Sequence, residues 1–213
     1  RAEIPDEWAA YRSFDFNPRI ANSITLSTFH GCPPDEIEKI VHYLITEIGV
    51  NAIIKLNPTQ LGKERLEHLL HDVMGYTHLE VNQKAYSAGL SLQEAIDIVE
   101  RLRPLADARG LGLGVKFSNT LETVNKGKYF TDEVMYMSGP PLHVIATNLV
   151  GEWRKALGTK YPISFSAGID HENFHKAVAI GLVPITVCTD LLKPRGYGRQ
   201  ITYLQKLEEK MKA

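Results

Sequence analysis

The stretch SITLSTFHGCPPDEIEKIVHYLITEIGVNAIIKLNPT, residues 23–59, contains one full period of the pattern that decides the fold. Ile24–Phe29 is a short β-prone run, and Gly31-Cys32-Pro33-Pro34 ends it. Ile37, Ile40, Val41, Leu44, Ile45 and Ile48 then recur at helical spacing, which gives the next segment one apolar face. Gly49 supplies a helix stop, and Ala52–Leu56 is a second strand closed by Asn57-Pro58-Thr59. A strand, a helix and a strand joined by short loops form a crossover unit, so the sheet is expected to be parallel.

The pattern repeats outward from there. Leu66, Leu69, Leu70 and Val73 mark a second helix that stops at Gly75, and His78–Val81 reads as a short strand. Ser91 and Glu94 form a capping box ahead of Leu92, Ala95, Ile96, Val99 and Leu102, and Pro104 predicts a kink or early break. Gly114–Ser118 is the next strand, followed by a polar loop through Lys126, Lys128 and Asp132. Met137-Ser138-Gly139-Pro140-Pro141 leads into a helix with Leu142, Ile145, Leu149 and Trp153. Ile163–Ser166 and Ile185–Cys188 are strands, and Tyr197–Lys212 is the terminal helix.

No GxGxxG follows any strand, which argues against a dinucleotide-binding open sheet. Polar and glycine-rich residues instead cluster just after strands, where an α/β barrel keeps its chemistry. The expected class is therefore α/β, a partial (β/α)8 TIM barrel of parallel strands alternating with helices. Five strands are evident and a sixth is weak, against the eight of a complete barrel. The remaining strands are expected outside this chain or from a neighbour. Residues 1–22, with Pro5, Asn17 and Pro18, read as a linker or entering segment, and residues 23–213 as the C-terminal portion of the barrel.

Composition narrows the partners. The 213 residues are 44% hydrophobic and 23% charged with a formal net charge of −1, which gives no reason to expect nucleic acid or an anionic membrane. No apolar run has membrane-spanning length and no signal-peptide pattern opens the chain. Arg1 in place of Met suggests processing or trimming from something longer. Cys32 and Cys188 form no CxxC pair, so neither a metal site built by this chain nor a disulfide scaffold is expected, and a reducing cytoplasm fits.

The candidate chemistry lies at strand ends. Barrels commonly hold a phosphate in the loops after their last two strands. Ser166-Ala167-Gly168-Ile169 and Thr189-Asp190-Leu191 stand at those places, with Gly168 open to close approach and the Ser166 and Thr189 hydroxyls as donors. Tight turns account for them equally well. Lys55 and Lys116 sit inside apolar strands; each either points into the barrel mouth toward an anion or snorkels outward. Cys32, just before a helix, is placed to favour a thiolate, with His30 nearby; the plainer account is a small buried hydrophobe. Cys188 reads that way throughout. Asn57, Asn119 and Thr120 suit amide or carbonyl edges. His42, His68, His71, His171 and His175 show no ligand spacing.

Several motifs together carry a resemblance. Thr25-Leu26-Ser27-Thr28-Phe29-His30-Gly31-Cys32-Pro33-Pro34, Lys55-Leu56-Asn57-Pro58-Thr59, Met135-Tyr136-Met137-Ser138-Gly139, Phe165-Ser166-Ala167-Gly168 and Thr189-Asp190-Leu191-Leu192-Lys193-Pro194 occur in this order. From Ser23 to Tyr197 the chain resembles the selenate reductase flavoprotein-subunit family of bacteria. More distantly it is similar to the FMN barrel of dihydropyrimidine and dihydroorotate dehydrogenases. The resemblance implies Cys32, with His30, as the catalytic acid or base, and Lys55 beside the flavin. It implies Ser138, Gly139, Ser166, Ala167, Gly168, Thr189 and Asp190 as further cofactor-binding residues, and Asn57, Asn119 and Thr120 as substrate contacts. The departures are a longer segment between Lys55 and Asn119, Ala167 where a second glycine is usual, and missing early strands that contribute flavin contacts.

The expected function is that of a barrel fragment of an FMN-type oxidoreductase acting on a small planar heterocycle, with the fragment alone inactive. Electrons would come from FAD, NAD(P)H and iron–sulfur modules in the rest of the parent polypeptide or in redox subunits. Two alternatives stay open: a Schiff-base aldolase or isomerase using Lys55 or Lys116, and a cofactor-free docking barrel within a redox complex.

Overall fold

The computed structural model describes residues 3–15, 18–27, 32–127 and 130–212. Five strands form one parallel sheet: β1 (Ser23–Leu26), β2 (Asn51–Leu56), β3 (Leu113–Phe117), β6 (Ile163–Phe165) and β7 (Leu182–Ile185). Two more, β4 (Leu121–Val124) and β5 (Val134–Met137), pair only with each other as an antiparallel hairpin inserted after β3. The helices are α1 (Pro34–Tyr43), α2 (Lys63–His68), α3 (Leu92–Ala108), α4 (Pro140–Leu157), α5 (Phe174–Ala179) and α6 (Arg199–Lys212). The main sheet runs β1-β2-β3-β6-β7, so strands neighbour one another in chain order. A doubly wound sheet reverses its order at a switch point. This one never reverses, and is an arc of a barrel.

Each strand divides its residues between two faces. In β2, Ala52, Ile54 and Leu56 are buried while Asn51, Ile53 and Lys55 are half-buried. Val115 and Phe117 of β3 and Ile163 and Phe165 of β6 continue the apolar face. It packs on Val41, Ile45, Val99, Leu102, Leu149 and Trp153 in one core. The opposite face carries Lys55, Gly114, Lys116, Ser118, Ser164 and Ser166, and corresponds to the lumen side. Aromatic rings close the core between α4 and the sheet. Trp153 meets Phe117 edge-on at 5.9 Å and Tyr161 at 6.2 Å.

Several expectations are corrected. His78–Val81 is not a strand; only Val81 makes an isolated antiparallel bridge, to Thr123, because the segment flanks the hairpin. The supposed polar loop after β3 contains that hairpin. Asn125 organises its turn by donating to the Phe130 and Asp132 carbonyls (3.0 and 2.7 Å) and accepting from the Gly127 N–H. Lys128 lies outside the described residues. α3 continues through Pro104 to Ala108, since Leu102 and Ala106 anchor both sides of it in the core. β7 lies three residues earlier than expected. Pro184 argues against a strand in the sequence, but β7 is an edge strand whose register with β6 is irregular between Ile163 and Phe165, which accommodates a residue without an N–H. Cys188 is consequently past the strand and exposed, not buried. α6 begins at Arg199, after a short turn over Gly196–Gly198. Among the described residues no helix is long and apolar enough to cross a membrane.

Trp153 is the largest fully buried side chain. Trp153→Ala is expected to cost about 3–5 kcal/mol, read as a lower urea midpoint with unchanged slope in the protein that carries this barrel.

Candidate active site

The C-terminal ends of β2, β3, β6 and β7 and the loop after β5 surround a cleft of about 250 Å³. Lys55 lies on its floor, with Ser118, Asn119 and Thr120 on one side and Ser166, Ala167 and Gly168 on the other. Ser138 and Gly139 approach from the hairpin, and Thr186, Cys188 and Thr189 from β7 and its loop. Residues from five separate chain segments thus meet in one place.

The rim is held by a backbone-to-backbone approach. A Cβ on Gly168 would overlap the Gly139 carbonyl oxygen and stand 2.7 Å from its carbon and 2.9 Å from Pro140 Cα. Gly168 also has φ +53°, and Gly139 has φ +75°, so both positions favour glycine twice over. A Cβ on Gly139 would approach Thr189 Cγ2 to 3.1 Å. Asn173 Nδ2 donates to the Gly168 carbonyl at 3.0 Å, and Asp170 accepts the Asn173 N–H, pinning the loop after β6. His143, in the first turn of α4, bonds the Ala167 carbonyl through Nδ1 at 2.9 Å and meets Phe165 edge-on at 5.6 Å. A carbonyl only accepts, so Nδ1 carries the proton. Nothing in the sequence signals this link across 24 residues.

On the other wall, Asn119 Nδ2 donates to Asn57 Oδ1 at 2.7 Å. Asn57 is 6% exposed and does not line the cleft, so it orients Asn119 from behind. Lys55 and Lys116 are register partners across β2 and β3, and neither escapes to the helix side. Burial holds both ammonium groups below the ordinary lysine range, and the charge of Lys55 adds to the effect on Lys116. Lys116 Nζ donates to Thr186 Oγ1 at 2.8 Å.

Cys32 and Asp190 differ from their sequence reading. Cys32 is half-buried and is not among the residues lining the cleft. Burial, then the carboxylates of Glu36 and Asp35, push its thiol up, with Sγ 3.8 Å from Glu36 Oε2. The thiolate expected from the helix start is therefore disfavoured, because the first turn brings two acids with it. His30 lies outside the described residues. Asp190 is 4% exposed, and its carboxylate is committed to the protein. Arg199 donates to both oxygens at 2.8 and 3.0 Å, Lys193 Nζ lies at 3.0 Å, and the Tyr203 hydroxyl donates to Oδ2. Asp190 thus ties the Thr189 loop to α6 and is not among the residues lining the cleft. Among the described residues, no group of histidine, cysteine and acids could hold a metal ion.

Arg199, then Tyr203 and Lys193, hold the Asp190 carboxyl far below the usual range against the opposing effect of burial. A depressed acid contributes stability that is complete above its unfolded pKa, about 3.9, and drains as pH falls toward the native value. Asp190→Asn is expected to cost roughly 2–3 kcal/mol at pH 7. Urea denaturation should show the gap to wild type narrowing below about pH 4.

Two comparisons bear on identity. The profile of the family described as "Oxidoreductase YgfK, N-terminal TIM-barrel domain" matches residues 6–213. The protein named "Putative oxidoreductase YgfK" from Escherichia coli strain K12 is 41% identical over 189 residues, covering 89% of this chain and 18% of that protein. Its counterpart in Escherichia coli O157:H7 matches equally. The chain therefore spans less than a fifth of the length of these relatives. The match supports an oxidoreductase barrel and carries nothing specific to selenate reduction. The chain belongs to the family of the N-terminal TIM-barrel domain of the oxidoreductase YgfK.

Proposed function

We propose that this barrel arc forms one wall of an FMN site and that the complete domain exchanges a hydride with a small planar heterocycle. The observation that carries the reading is the meeting of Lys55 with the Gly139–Gly168–Thr189 rim in one cleft at the strand ends. The residues suit the group. The glycine rim brings backbone close to a phosphate, and Ser138, Ser166 and Thr189 add hydroxyl donors around Ala167. A cation on the floor matches the side of a flavin ring that gains negative charge on reduction. The cleft, about 250 Å³, falls short of the ~300–1,000 Å³ of a complete small-molecule site. That is consistent with further barrel strands supplying the opposite wall.

FMN would supply the hydride chemistry; the chain's own residues bind, orient and move protons. Asn119, steadied by Asn57, and Thr120 would meet the substrate's amide or carbonyl edge. Cys32 does not line the cleft and enters this reading through the family resemblance alone, as a proton donor; its raised thiol argues against attack as a nucleophile. Electrons would arrive from modules elsewhere in the parent protein or from redox subunits, with FAD, NAD(P)H and iron–sulfur centres as carriers. We place the protein in the cytoplasm.

A second reading has one observation in its favour. Lys116 is made less basic by burial and by the neighbouring Lys55, as in amines that form Schiff bases. Borohydride reduction in the presence of a small aldehyde would label Lys116 under that reading and leave a flavin enzyme unlabelled.

The main test is the cofactor content of the full-length protein. Purified wild type is expected to show flavin absorbance and to release FMN, identified by mass. Gly168→Ala should release less than a tenth as much while keeping its far-ultraviolet circular dichroism. Wild-type protein free of FMN would end the proposal.

A further inference from the structure

Outside the strand-end cleft, a second cavity of about 190 Å³ opens where α6 begins beside the loop after β6. His171 of that loop, Arg195 of the turn before α6, and Arg199, Thr202 and Tyr203 of α6 line it. None of the five lines the cleft. No carboxylate is among the described residues around this cavity. The acids next to it in sequence or by contact are already engaged. Asp190 is held by Arg199, Lys193 and Tyr203, and Glu172 by Lys206 and His171. Asp170 accepts the N–H groups of Glu172 and Asn173. Arg195 stands outside all of this pairing: among the described residues it has no hydrogen bond and no ion pair.

Two more donors face no partner. Arg199 commits Nε and Nη2 to Asp190 at 2.8 and 3.0 Å, which leaves Nη1 over. Thr202, three residues along the same helix, has no hydrogen bond through its hydroxyl among the described residues. The backbone of Arg195 adds an independent observation. Lys193–Gly196 is a turn closed by the Gly196 N–H on the Lys193 carbonyl at 3.1 Å. Arg195 is its third residue, with φ +80° and ψ −10°. A type II turn gives that position to glycine. Among the described residues Arg195 is the only non-glycine with positive φ, although the next residue is itself a glycine. Strain of this kind gathers at ligand sites.

We propose that this cavity binds a phosphate group, held by Arg195, by Nη1 of Arg199 and by the Thr202 hydroxyl, at a site separate from the cleft. Donors carried by a turn and by successive positions of a helix approach from different directions. A tetrahedral oxyanion has acceptors for them all, and guanidinium groups bind its oxygens through charge-assisted hydrogen bonds. A planar carboxylate matches fewer of them. The start of α6, a helix of 14 residues, adds its positive end. Bound phosphate would rest on the same guanidinium that anchors Asp190, bracing the junction between the Thr189 loop and α6. The site does not depend on the flavin reading.

The experiment is equilibrium dialysis of inorganic phosphate against the full-length protein at low ionic strength. Arg195→Gly is a variant that the fold favours, since glycine relieves the positive φ. It should keep or raise the urea midpoint while weakening phosphate binding at least about tenfold, the loss expected for a charged hydrogen-bond donor. Thr202→Val should weaken binding by about threefold, and Arg195→Lys should fall between wild type and Arg195→Gly. Gly168→Ala, which disturbs the cleft, should retain the binding. Methyl phosphate separates two sources of the same chemistry: displacement of inorganic phosphate by it points to a phosphoester ligand, and no displacement to the free ion. Acetate should bind at least about tenfold more weakly than phosphate. The proposal is overturned by a wild type with no saturable binding below about 10 mM, by acetate bound as tightly as phosphate, or by affinity unchanged in Arg195→Gly. Binding lost in Gly168→Ala and kept in Arg195→Gly would assign the phosphate to the cleft instead. The FMN content of the protein bears on none of these outcomes, so the two proposals fail separately.

Discussion

Everything in this chain follows from a sheet that buries only one of its faces in the hydrophobic core. Ala52, Ile54, Leu56, Val115, Phe117, Ile163 and Phe165 all turn toward the helices, and the hydrophobic driving force is spent there. The lumen side is left to serine, glycine and lysine. Because strands follow one another in chain order, the C-terminal ends of β2, β3, β6 and β7 and the loops beyond them gather at one edge of the arc. The cleft is a consequence of that order.

Support for the rim comes from residues that do not themselves line the cleft. Asp190 is bound to Arg199, Lys193 and Tyr203, and this cluster sets the loop that presents Thr189. Tyr203 in turn packs on Phe174 at 5.6 Å, joining α5 and α6. Asn173 and His143 hold the carbonyls of Gly168 and Ala167. These polar contacts are nearly all made with backbone or within ion clusters, so the small residues of the rim can face outward without collapsing.

Strand–helix alternation was legible because each helix has its own 3.6-residue stripe and each strand its own run of apolar residues. Lys55, Asn119, Thr120 and Gly168 could be singled out for a local reason, their place just at or beyond a strand end. What could not be read depends on partners distant in sequence. Asp190 looked like a ligand because Arg199 and Tyr203 belong to a later helix. Asn57 read as a substrate contact because Asn119, the side chain it binds, lies 62 residues on. Lys116 gains meaning only when Thr186, on the far side of β6, comes within reach. The hairpin went unread because its turn is organised by one asparagine and lacks a two-residue glycine signal.

The Gly139–Gly168 contact joins two pieces of backbone with separate suspensions. Gly168 hangs from β6, inside the five-stranded sheet, whereas Gly139 hangs from β5, which is tied to β4 by four residue pairs. A two-stranded ribbon is the less durable of the two supports. Fraying of the hairpin would therefore part the two glycines while every strand of the barrel arc kept its neighbours. Local opening at the mouth of the cleft thus need not unfold the body of the barrel.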